Sequence, residues 1–515
     1  MALKNLNYIN KIKRFTNLNT LSGIKNEIDH IIKYPKQINS FINGKELYSD
    51  NINTIRSPIY KNCIIGKYSL INDFDIDYKK AKNHWSNIPF SEKIDIFENI
   101  ANLIENKYYN KMMAATIINQ GKDPYQAEID SIGELVDFIR FNCKYAEKII
   151  SNQPISTDLA TNISEYNPLG GFVSSITPFN FTAIAGNLAL TPLLFGNVVY
   201  WKPSFKSLVS NKLFLDICLE ANIPPEIINF IIMDPEEYSN KIINNPDLNA
   251  VIFTGASNTF MNIQKQVNSN IDNYNNNIRF IGETGGKNFH FIDSNCDIEN
   301  AINETIYSSF DYSGQKCSAC SRLYLPESIE TDFIDGMIDK IKNINFENYG
   351  VIDLEAYNQK IDFLDKINSD SEIELIHGAN YNNKSSYFIE PTICKISNTN
   401  NWIWNTELFA PIITYKTYQD SNIEKAMDEC SNHKYALTGS IFSNDKNIIS
   451  KSNQYFKESC GNFYINEKST GAVVGQQPFG GMKLSGTNDK AGDINFLYKL
   501  FNQRNLKFNN QIKLN

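Results

Sequence analysis

Residues 171–204, GFVSSITPFNFTAIAGNLALTPLLFGNVVYWKPS, decide the fold. Two short apolar runs, at 171–176 and 198–201, flank a stretch at 182–194 that has helical composition. Short apolar runs bounded by turns are typical of buried strands, and a helix between two such strands forms a parallel crossover unit. The stretch therefore predicts the beginning of a parallel sheet that is covered by helices.

The same alternation continues along the chain. A helix is predicted at 207–221, and further apolar runs predict strands at 227–233, 250–253 and 278–282. This order is typical of a doubly wound α/β fold of the dinucleotide-binding type. A second α/β alternation from 288 to about 466 predicts a second domain.

The segments that flank this region have different patterns. Residues 90–149 follow a helical period, because Ile129, Ile132, Val136 and Ile139 fall on one face. Residues 153–167 are polar and predict a β-hairpin, and the C-terminal stretch 496–515 is expected to pair with it or with another subunit.

Composition excludes several classes of protein. A chain of 515 residues with a net charge of −8 is expected to form two or three domains and is unlike a nucleic-acid binder, which is usually basic. The longest apolar run, 188–201, is interrupted by Pro192, Gly196 and Asn197 and is too short to cross a membrane. Cys317 and Cys320 form a C-x-x-C pair, but the five histidines are dispersed, so no metal site is expected.

The N-terminus leaves two interpretations open. The first 24 residues carry Lys4, Lys11, Lys13 and Arg14 and no acidic residue. This charge pattern is typical of a mitochondrial presequence, but an ordinary basic helix has the same composition.

Three residues near predicted strand ends carry a candidate chemistry. Cys317 follows a glycine turn, Glu283 precedes two glycines, and Asn180 lies between a predicted strand and a predicted helix. A thiol, a carboxylate and an amide are the groups needed to oxidise an aldehyde through a thioester. Each residue alone has an ordinary alternative: a buried structural cysteine, an exposed loop glutamate and a helix-capping asparagine.

Two further turns are compatible with a nucleotide. Gly255 ends a predicted strand just before a predicted helix, whose free N–H groups can bind phosphate. Lys202 closes another strand, where its ammonium group can donate to ribose hydroxyls. Either turn alone is as well explained by an ordinary strand-to-helix connection and a surface lysine.

The motifs together resemble the NAD(P)-dependent aldehyde dehydrogenase superfamily over nearly the whole chain. Further matching motifs are Glu407-Leu-Phe-Ala-Pro411 and Gln477-Pro-Phe-Gly-Gly-Met-Lys-Leu-Ser-Gly486. Within the superfamily, Gly314-Gln-Lys-Cys-Ser-Ala-Cys-Ser-Arg322, Gly461-Asn-Phe-Tyr-Ile-Asn-Glu-Lys-Ser-Thr-Gly471 and Ser485-Gly-Thr-Asn-Asp-Lys490 resemble the 1-pyrroline-5-carboxylate dehydrogenase family. That family oxidises L-glutamate γ-semialdehyde to glutamate in the second step of proline degradation.

The resemblance implies a role for each matching residue. Cys317 would be the nucleophile, Glu283 the base for thioester hydrolysis, and Asn180 an oxyanion donor together with the Cys317 N–H. The cofactor, NAD, would be bound by Thr177, Lys202, Gly255, Ala256, Ser257, Asn258, Thr259, Glu407 and Phe409. The substrate would be bound by Phe181, Ser318, Gly471, Ala472 and Phe479.

One departure from the family pattern affects the choice of cofactor. In the family, the residue after Trp201-Lys-Pro-Ser204 is usually acidic or otherwise suited to the adenine ribose, but here it is Phe205, followed by Lys206. Because a nearby cation can accept a 2′-phosphate, the sequence leaves NAD against NADP open.

The resemblance also implies an organisation. We expect an NAD-binding domain at 1–152 and 168–282, a catalytic domain at 283–489, and oligomerisation elements at 153–167 and 490–515. The expected partners are a small-molecule substrate and further copies of the chain in a homodimer or higher homo-oligomer. The expected compartment is the mitochondrial matrix, with the cytoplasm as the alternative. The alternatives for function are an aldehyde dehydrogenase for another semialdehyde and a non-catalytic protein that retains the fold.

Overall fold

The computed structural model describes residues 18–344 and 350–511. The basic residues behind the presequence interpretation, Lys4, Lys11, Lys13 and Arg14, lie outside the described residues.

The first part of the chain contains the predicted alternation of strands and helices. Its strands are β1 Lys36–Ile38, β2 Ser40–Ile42, β3 Lys45–Leu47, β4 Ile52–Arg56, β5 Ile64–Ser69, β6 Ala160–Asn167, β7 Phe172–Ile176, β8 Val199–Lys202, β9 Ile228–Phe230, β10 Leu248–Thr254 and β11 Arg279–Glu283. Its helices are α1 Leu18–Lys33, α2 Lys79–Ser86, α3 Phe90–Asn102, α4 Tyr109–Gln120, α5 Pro124–Glu128, α6 Leu135–Ser151, α7 Thr182–Leu190, α8 Leu208–Glu220, α9 Pro235–Tyr238 and α10 Ser257–Ser269.

The first large sheet is the doubly wound sheet that the sequence predicts. Among the described residues it has seven strands in the order β11-β10-β7-β8-β9-β2-β3. The strands β7 to β11 run parallel, so their carboxyl ends meet at one edge. Every residue of β10 is buried, as expected for a strand covered by helices on both faces. The antiparallel edge strands β2 and β3 were not predicted, because each has only three residues.

The second part of the chain contains the second alternation. Its strands are β12 Asn288–Ile292, β13 Cys320–Pro326, β14 Ile373–His377, β15 Tyr381–Asn382, β16 Phe388–Ile389, β17 Thr392–Ile396, β18 Ile412–Tyr418, β19 Tyr435–Ala436, β20 Thr438–Phe442, β21 Asn462–Ile465, β22 Met482–Lys483 and β23 Asn502–Asn509. Its helices are α11 Ile298–Phe310, α12 Glu330–Asn343, α13 Leu354–Ser369, α14 Trp402–Asn405, α15 Ile423–Ser431, α16 Lys446–Tyr455 and α17 Ile494–Leu497.

A second sheet is built from this part. Its seven strands within the described ranges follow the order β14-β17-β18-β13-β12-β20-β21, and only β14 pairs antiparallel. The predicted α/β architecture is thereby confirmed, while the proposed domain boundaries stay a prediction.

The predicted hairpin at 153–167 is present at its turn, where Thr157 and Ala160 form an antiparallel bridge. The regular strand of this segment, β6, pairs antiparallel with β23 over eight residues, from Ala160 opposite Asn509 to Asn167 opposite Asn502. The alternative expectation, that the C-terminal stretch pairs with this segment, is confirmed. The pairing of an exposed polar strand is only weakly specified by its own sequence, so its partner strand can be distant along the chain.

The predicted helical stretch at 90–149 is also interrupted. It divides into α3, α4, α5 and α6, and Gly121 adopts a left-handed φ of 75° at the end of α4. No helix among residues 18–344 and 350–511 is both long and apolar enough to span a bilayer.

Candidate active site

A cavity of about 970 Å³ lies at the carboxyl ends of β7, β8 and β10. Nine of the residues predicted for the site line it: Thr177, Asn180, Lys202, Gly255, Ala256, Thr259, Cys317, Glu407 and Phe409. Ser257 and Asn258 belong to the same first turn of α10 but are not among the lining residues. The volume is at the upper end of the roughly 300–1,000 Å³ range of ligand pockets, so the cavity can accept a dinucleotide.

The nucleophile candidate follows an unusual turn. Tyr312, Ser313 and Gly314 have left-handed φ values of 51°, 54° and 66°. Such conformations are costly for residues with a side chain and persist only when neighbours hold them. The Tyr312 hydroxyl donates to the Gln120 carbonyl at 2.7 Å, and Lys316 Nζ donates to Gln126 Oε1 at 3.0 Å. The turn that carries Cys317 is thus fixed to the helical segment around α4 and α5.

The thiol and the carboxylate are in direct contact. Cys317 Sγ lies 3.2 Å from Glu283 Oε1 and donates to it. Burial raises the pKa of the Cys317 thiol, and the Glu283 carboxylate raises it further. Burial also raises the pKa of Glu283 to about 7, against the opposing effect of the hydrogen bond from the thiol. The carboxylate is therefore a base that works near neutral pH and can receive the thiol proton.

Two donors lie beside this pair. The Asn180 side chain is buried, and its Nδ2 donates one hydrogen to the Gln315 carbonyl at 2.9 Å, which orients the amide. The Cys317 N–H has no acceptor among the described residues. Both groups are free to donate to an oxyanion that forms at a carbon bonded to Sγ.

A buried ion pair fixes the helix behind Asn180. Asp130 accepts the N–H groups of Thr182 and Ala183, at 3.0 and 2.8 Å, and pairs with Lys122 Nζ at 2.8 Å. Both charged side chains are fully buried. Lys122 Nζ also lies 3.9 Å from the ring centroid of Phe181. The sequence analysis missed this pair, because residues 122 and 130 lie in no recognisable motif.

None of the five predicted substrate residues lines the large cavity. The Ser318 carbonyl accepts hydrogen bonds from Ser469 Oγ and Thr438 Oγ1, both at 3.2 Å. Ser469 fixes the loop that bears Gly471 and Ala472 to the residue that follows the nucleophile. Phe479 lines a second, smaller cavity together with Glu283. Phe181, another predicted substrate residue, packs its ring against the Lys122 ammonium group.

On the cavity side, Glu407 is held by the glycine pair that follows Glu283. Its Oε1 accepts the Gly286 N–H at 2.9 Å, and a Cβ at Gly285 would collide with its carboxylate. Burial raises the pKa of Glu407 to about 7. Phe409 adopts a left-handed φ of 52°, with its ring 6.0 Å from that of Phe179.

Gln359, Lys360 and Glu236 are among the cavity residues that the sequence analysis missed. Gln359 and Lys360 come from α13, and Glu236 comes from α9. Burial lowers the pKa of Lys360 to about 8. None of the three lies in a motif, so no sequence signal could have identified them.

Polar groups suited to a dinucleotide line this cavity. Lys202 is only 9% exposed, and its Nζ has no hydrogen-bonded partner within the described part of the chain. The N-terminus of α10 follows Gly255, and among the described residues no side chain caps it. An unpaired amine and free helical N–H groups fit ribose hydroxyls and a pyrophosphate.

Comparison with known proteins agrees with this geometry. The model of the "Aldehyde dehydrogenase family" matches residues 60–505. A delta-1-pyrroline-5-carboxylate dehydrogenase, mitochondrial, of Emericella nidulans is 39% identical over 495 residues, which cover 92% of this chain and 86% of that protein. A probable delta-1-pyrroline-5-carboxylate dehydrogenase of Schizosaccharomyces pombe is 39% identical, and the match covers 92% of this chain and 90% of that protein.

A solved structure gives the same result for the fold. The Delta-pyrroline-5-carboxylate dehydrogenase from Mycobacterium tuberculosis, bound with NAD, superposes with a TM-score of 0.90 at 31% identity. The match covers 98% of this chain and 95% of the other.

Proposed function

The chain belongs to the aldehyde dehydrogenase family, and on that premise we propose that it oxidises L-glutamate 5-semialdehyde to L-glutamate with NAD. The semialdehyde is the open-chain form of 1-pyrroline-5-carboxylate. The observation that carries the proposal is the 3.2 Å contact between Cys317 and Glu283, with the large cavity on one side and the Ser318–Ser469 link on the other.

Cys317 begins the reaction. Its Sγ attacks the aldehyde carbon, a C–S bond forms, and the thiol proton passes to the Glu283 carboxylate that already accepts it. The aldehyde oxygen becomes an oxyanion, which Asn180 Nδ2 and the Cys317 N–H stabilise. Collapse of this adduct leaves a thioester on Cys317.

The cofactor fits the large cavity. We propose that Lys202 and Glu407 hold its riboses, that the first turn of α10, Ala256 to Thr259, holds its pyrophosphate next to Gly255, and that Thr177 and Phe409 lie at its nicotinamide end. NAD, when bound, supplies the acceptor for the hydride that leaves the substrate carbon.

Glu283 completes the reaction. Glu283 first releases the thiol proton to solvent. A water then attacks the thioester and gives one proton to Glu283, the C–S bond breaks, and this proton passes to the Cys317 thiolate, which restores the thiol as glutamate leaves. A pKa of about 7 suits a group that must accept and release a proton in each turnover.

Replacing Asn180 by alanine tests the oxyanion role. Loss of one donor is expected to lower kcat by about 10²–10³-fold, equivalent to about 2.7–4 kcal/mol. The KM for NAD should change little, because the amide faces the reacting carbon. Steady-state kinetics and a thermal melt separate this effect from misfolding, and a fall in kcat below tenfold with an unchanged melt would exclude the role.

The substrate needs partners for its carboxylate and its ammonium group. We propose that Ser318 and the N–H groups of Gly471 and Ala472 bind the carboxylate, with Phe181 and Phe479 beside the aliphatic chain. For the ammonium group we propose Glu134, a half-buried residue in the same charged cluster as Lys122, Asp130 and Lys316. Burial raises the pKa of Glu134 to about 8, and a cationic ligand would favour its ionised form.

The direct test is NADH formation by the purified protein. With 1-pyrroline-5-carboxylate and NAD we expect strong turnover, and with propionaldehyde much weaker turnover, because propionaldehyde lacks the carboxylate and the ammonium group. Turnover restricted to propionaldehyde would retain the aldehyde dehydrogenase chemistry and reject the substrate proposed here.

Assembly and compartment belong to the same proposal. We propose a homodimer or higher homo-oligomer that uses the β6–β23 ribbon and the segment just before β6, where Ile155 is 86% and Leu159 is 62% exposed. We also propose the mitochondrial matrix, supported by the name of the Emericella nidulans relative and by the basic N-terminus. Light scattering of the protein in solution and localisation of a fluorescent fusion test these two points.

A further inference from the structure

The cavity residues around Lys202 bear on the choice between NAD and NADP. Five residues of this region line the large cavity: Lys202, Pro203, Ser204, Pro235 and Glu236. The sequence left the choice between NAD and NADP open here, because Phe205 replaces an acidic residue and Lys206 adds a cation.

Phe205 supplies no acceptor for a ribose hydroxyl. Its ring stacks on Tyr68, with centroids 5.3 Å apart and an interplanar angle of 20°. Its face lies 4.6 Å from Lys202 Nζ. The side chain therefore supports the lysine through a cation–π contact and leaves the recognition of the ribose to other groups.

Lys206 is unavailable to a phosphate. Its Nζ pairs with Asp353 at 2.8 Å and with Glu355 at 3.2 Å, at the beginning of α13. Two carboxylates already neutralise this cation, so an incoming 2′-phosphate would have to displace them and would meet their negative charge.

Besides Glu407, Glu236 is the acidic residue of the described chain that lines the cavity. Burial lowers the pKa of Lys202, and Asp234 is close enough to Lys202 to raise that pKa in part. Asp234 caps α9, because its side chain accepts the Glu236 N–H at 2.9 Å, and Asp234 is not a cavity-lining residue. The Glu236 side chain is exposed and lines the cavity that Lys202 also lines. A carboxylate here can accept a ribose hydroxyl and repels a phosphate at the same position.

We infer that Glu236 takes over the role of the missing acid at position 205 and selects NAD against NADP. This inference rests on the cofactor part of the proposed function and is independent of the aldehyde substrate. It also assigns Asp353 and Glu355 the role of withholding Lys206 from a 2′-phosphate.

Binding of cofactor fragments tests the inference without turnover. Calorimetry would compare ADP-ribose with 2′-phospho-ADP-ribose on the intact protein and on Glu236→Gln. The intact protein should prefer ADP-ribose, and Glu236→Gln should tighten binding of the phosphorylated fragment by roughly five- to tenfold, because one repulsive charge is removed. The matched control is Glu237→Gln, which makes the same change next to the cavity but not on its lining.

The outcomes show whether Glu236, Lys206 or net charge alone determines binding at the ribose 2′ position. Equal effects of Glu236→Gln and Glu237→Gln would overturn the inference, because they would reflect net charge alone. In a third variant, Lys206→Gln, the ratio of the two affinities should stay unchanged. Loss of 2′-phospho-ADP-ribose binding in that variant would show that Lys206 reads the phosphate, which also overturns the inference. If 1-pyrroline-5-carboxylate proves not to be the substrate, the binding result still stands.

Discussion

The Cys317→Ser protein is expected to form no measurable NADH from 1-pyrroline-5-carboxylate, a loss on the order of 10⁴-fold or more. A serine hydroxyl is far less acidic than a thiol, and Glu283, with a pKa of about 7, is too weak a base to ionise it. An ester would also form and break more slowly than a thioester. The measurement is NADH formation at high protein concentration, together with a thermal melt.

The chain offers a matched control three residues later. Cys320→Ser makes the same chemical change in a buried cysteine whose Sγ contacts the Arg322 carbonyl at 3.5 Å. It should retain most of the activity. If both variants retained full activity, Cys317 would not be the nucleophile, and if both lost it together with their melting transition, folding would be the cause.

The second large effect is expected for Glu283→Gln, which should lower kcat by about 10²–10⁴-fold. The amide keeps the shape of the carboxylate but cannot take a proton from the attacking water. Cys317 also loses the acceptor of its thiol proton, so thioester formation should slow as well, and rapid mixing should show no fast first turnover of NADH. A steady-state rate within tenfold of the original would exclude Glu283 as the base.

The pH profile gives an independent check of the same residue. A general base acts when it is ionised, so the rate of thioester hydrolysis should rise with pH up to about 7 and level off above it. In Glu283→Gln the rise of the rate below about pH 7 should disappear. Glu407→Gln is the contrast, because its carboxyl group has a similarly raised pKa of about 7 but lies on the cofactor side. The Glu407→Gln variant should have a higher KM for NAD, and its rate of thioester hydrolysis should still rise with pH up to about 7.

Much of the site could be predicted because its residues occupy recognisable turns. Asn180, Lys202 and Gly255 each follow a strand that the local apolar pattern reveals, and parallel strands bring their carboxyl ends to one edge. The fold class followed from the same local alternation. The resemblance to a known family then gave Cys317 and Glu283 their roles, which nine scattered cysteines alone could not have indicated.

Other parts of the site could not be predicted, because they depend on contacts between distant segments. Lys206 becomes unavailable only because Asp353 and Glu355 lie across from it. Glu236 and Lys360 enter the cavity from helices that carry no motif. The sequence left two partners open for the C-terminal stretch for the same reason, since β23 is more than 300 residues away from β6.

The sequence by itself predicted the alternation of strands and helices, the family, and the thiol, carboxylate and amide that we propose to react. These properties are local, because periodicity, turn residues and motifs each involve only a few residues that are neighbours in the sequence. Only the tertiary structure decided that Cys317 and Glu283 touch, that Lys122 and Asp130 support the helix behind Asn180, and which charges remain free at the cofactor site. Those properties depend on distance and burial, which arise when the sheets assemble and remove water from charged groups.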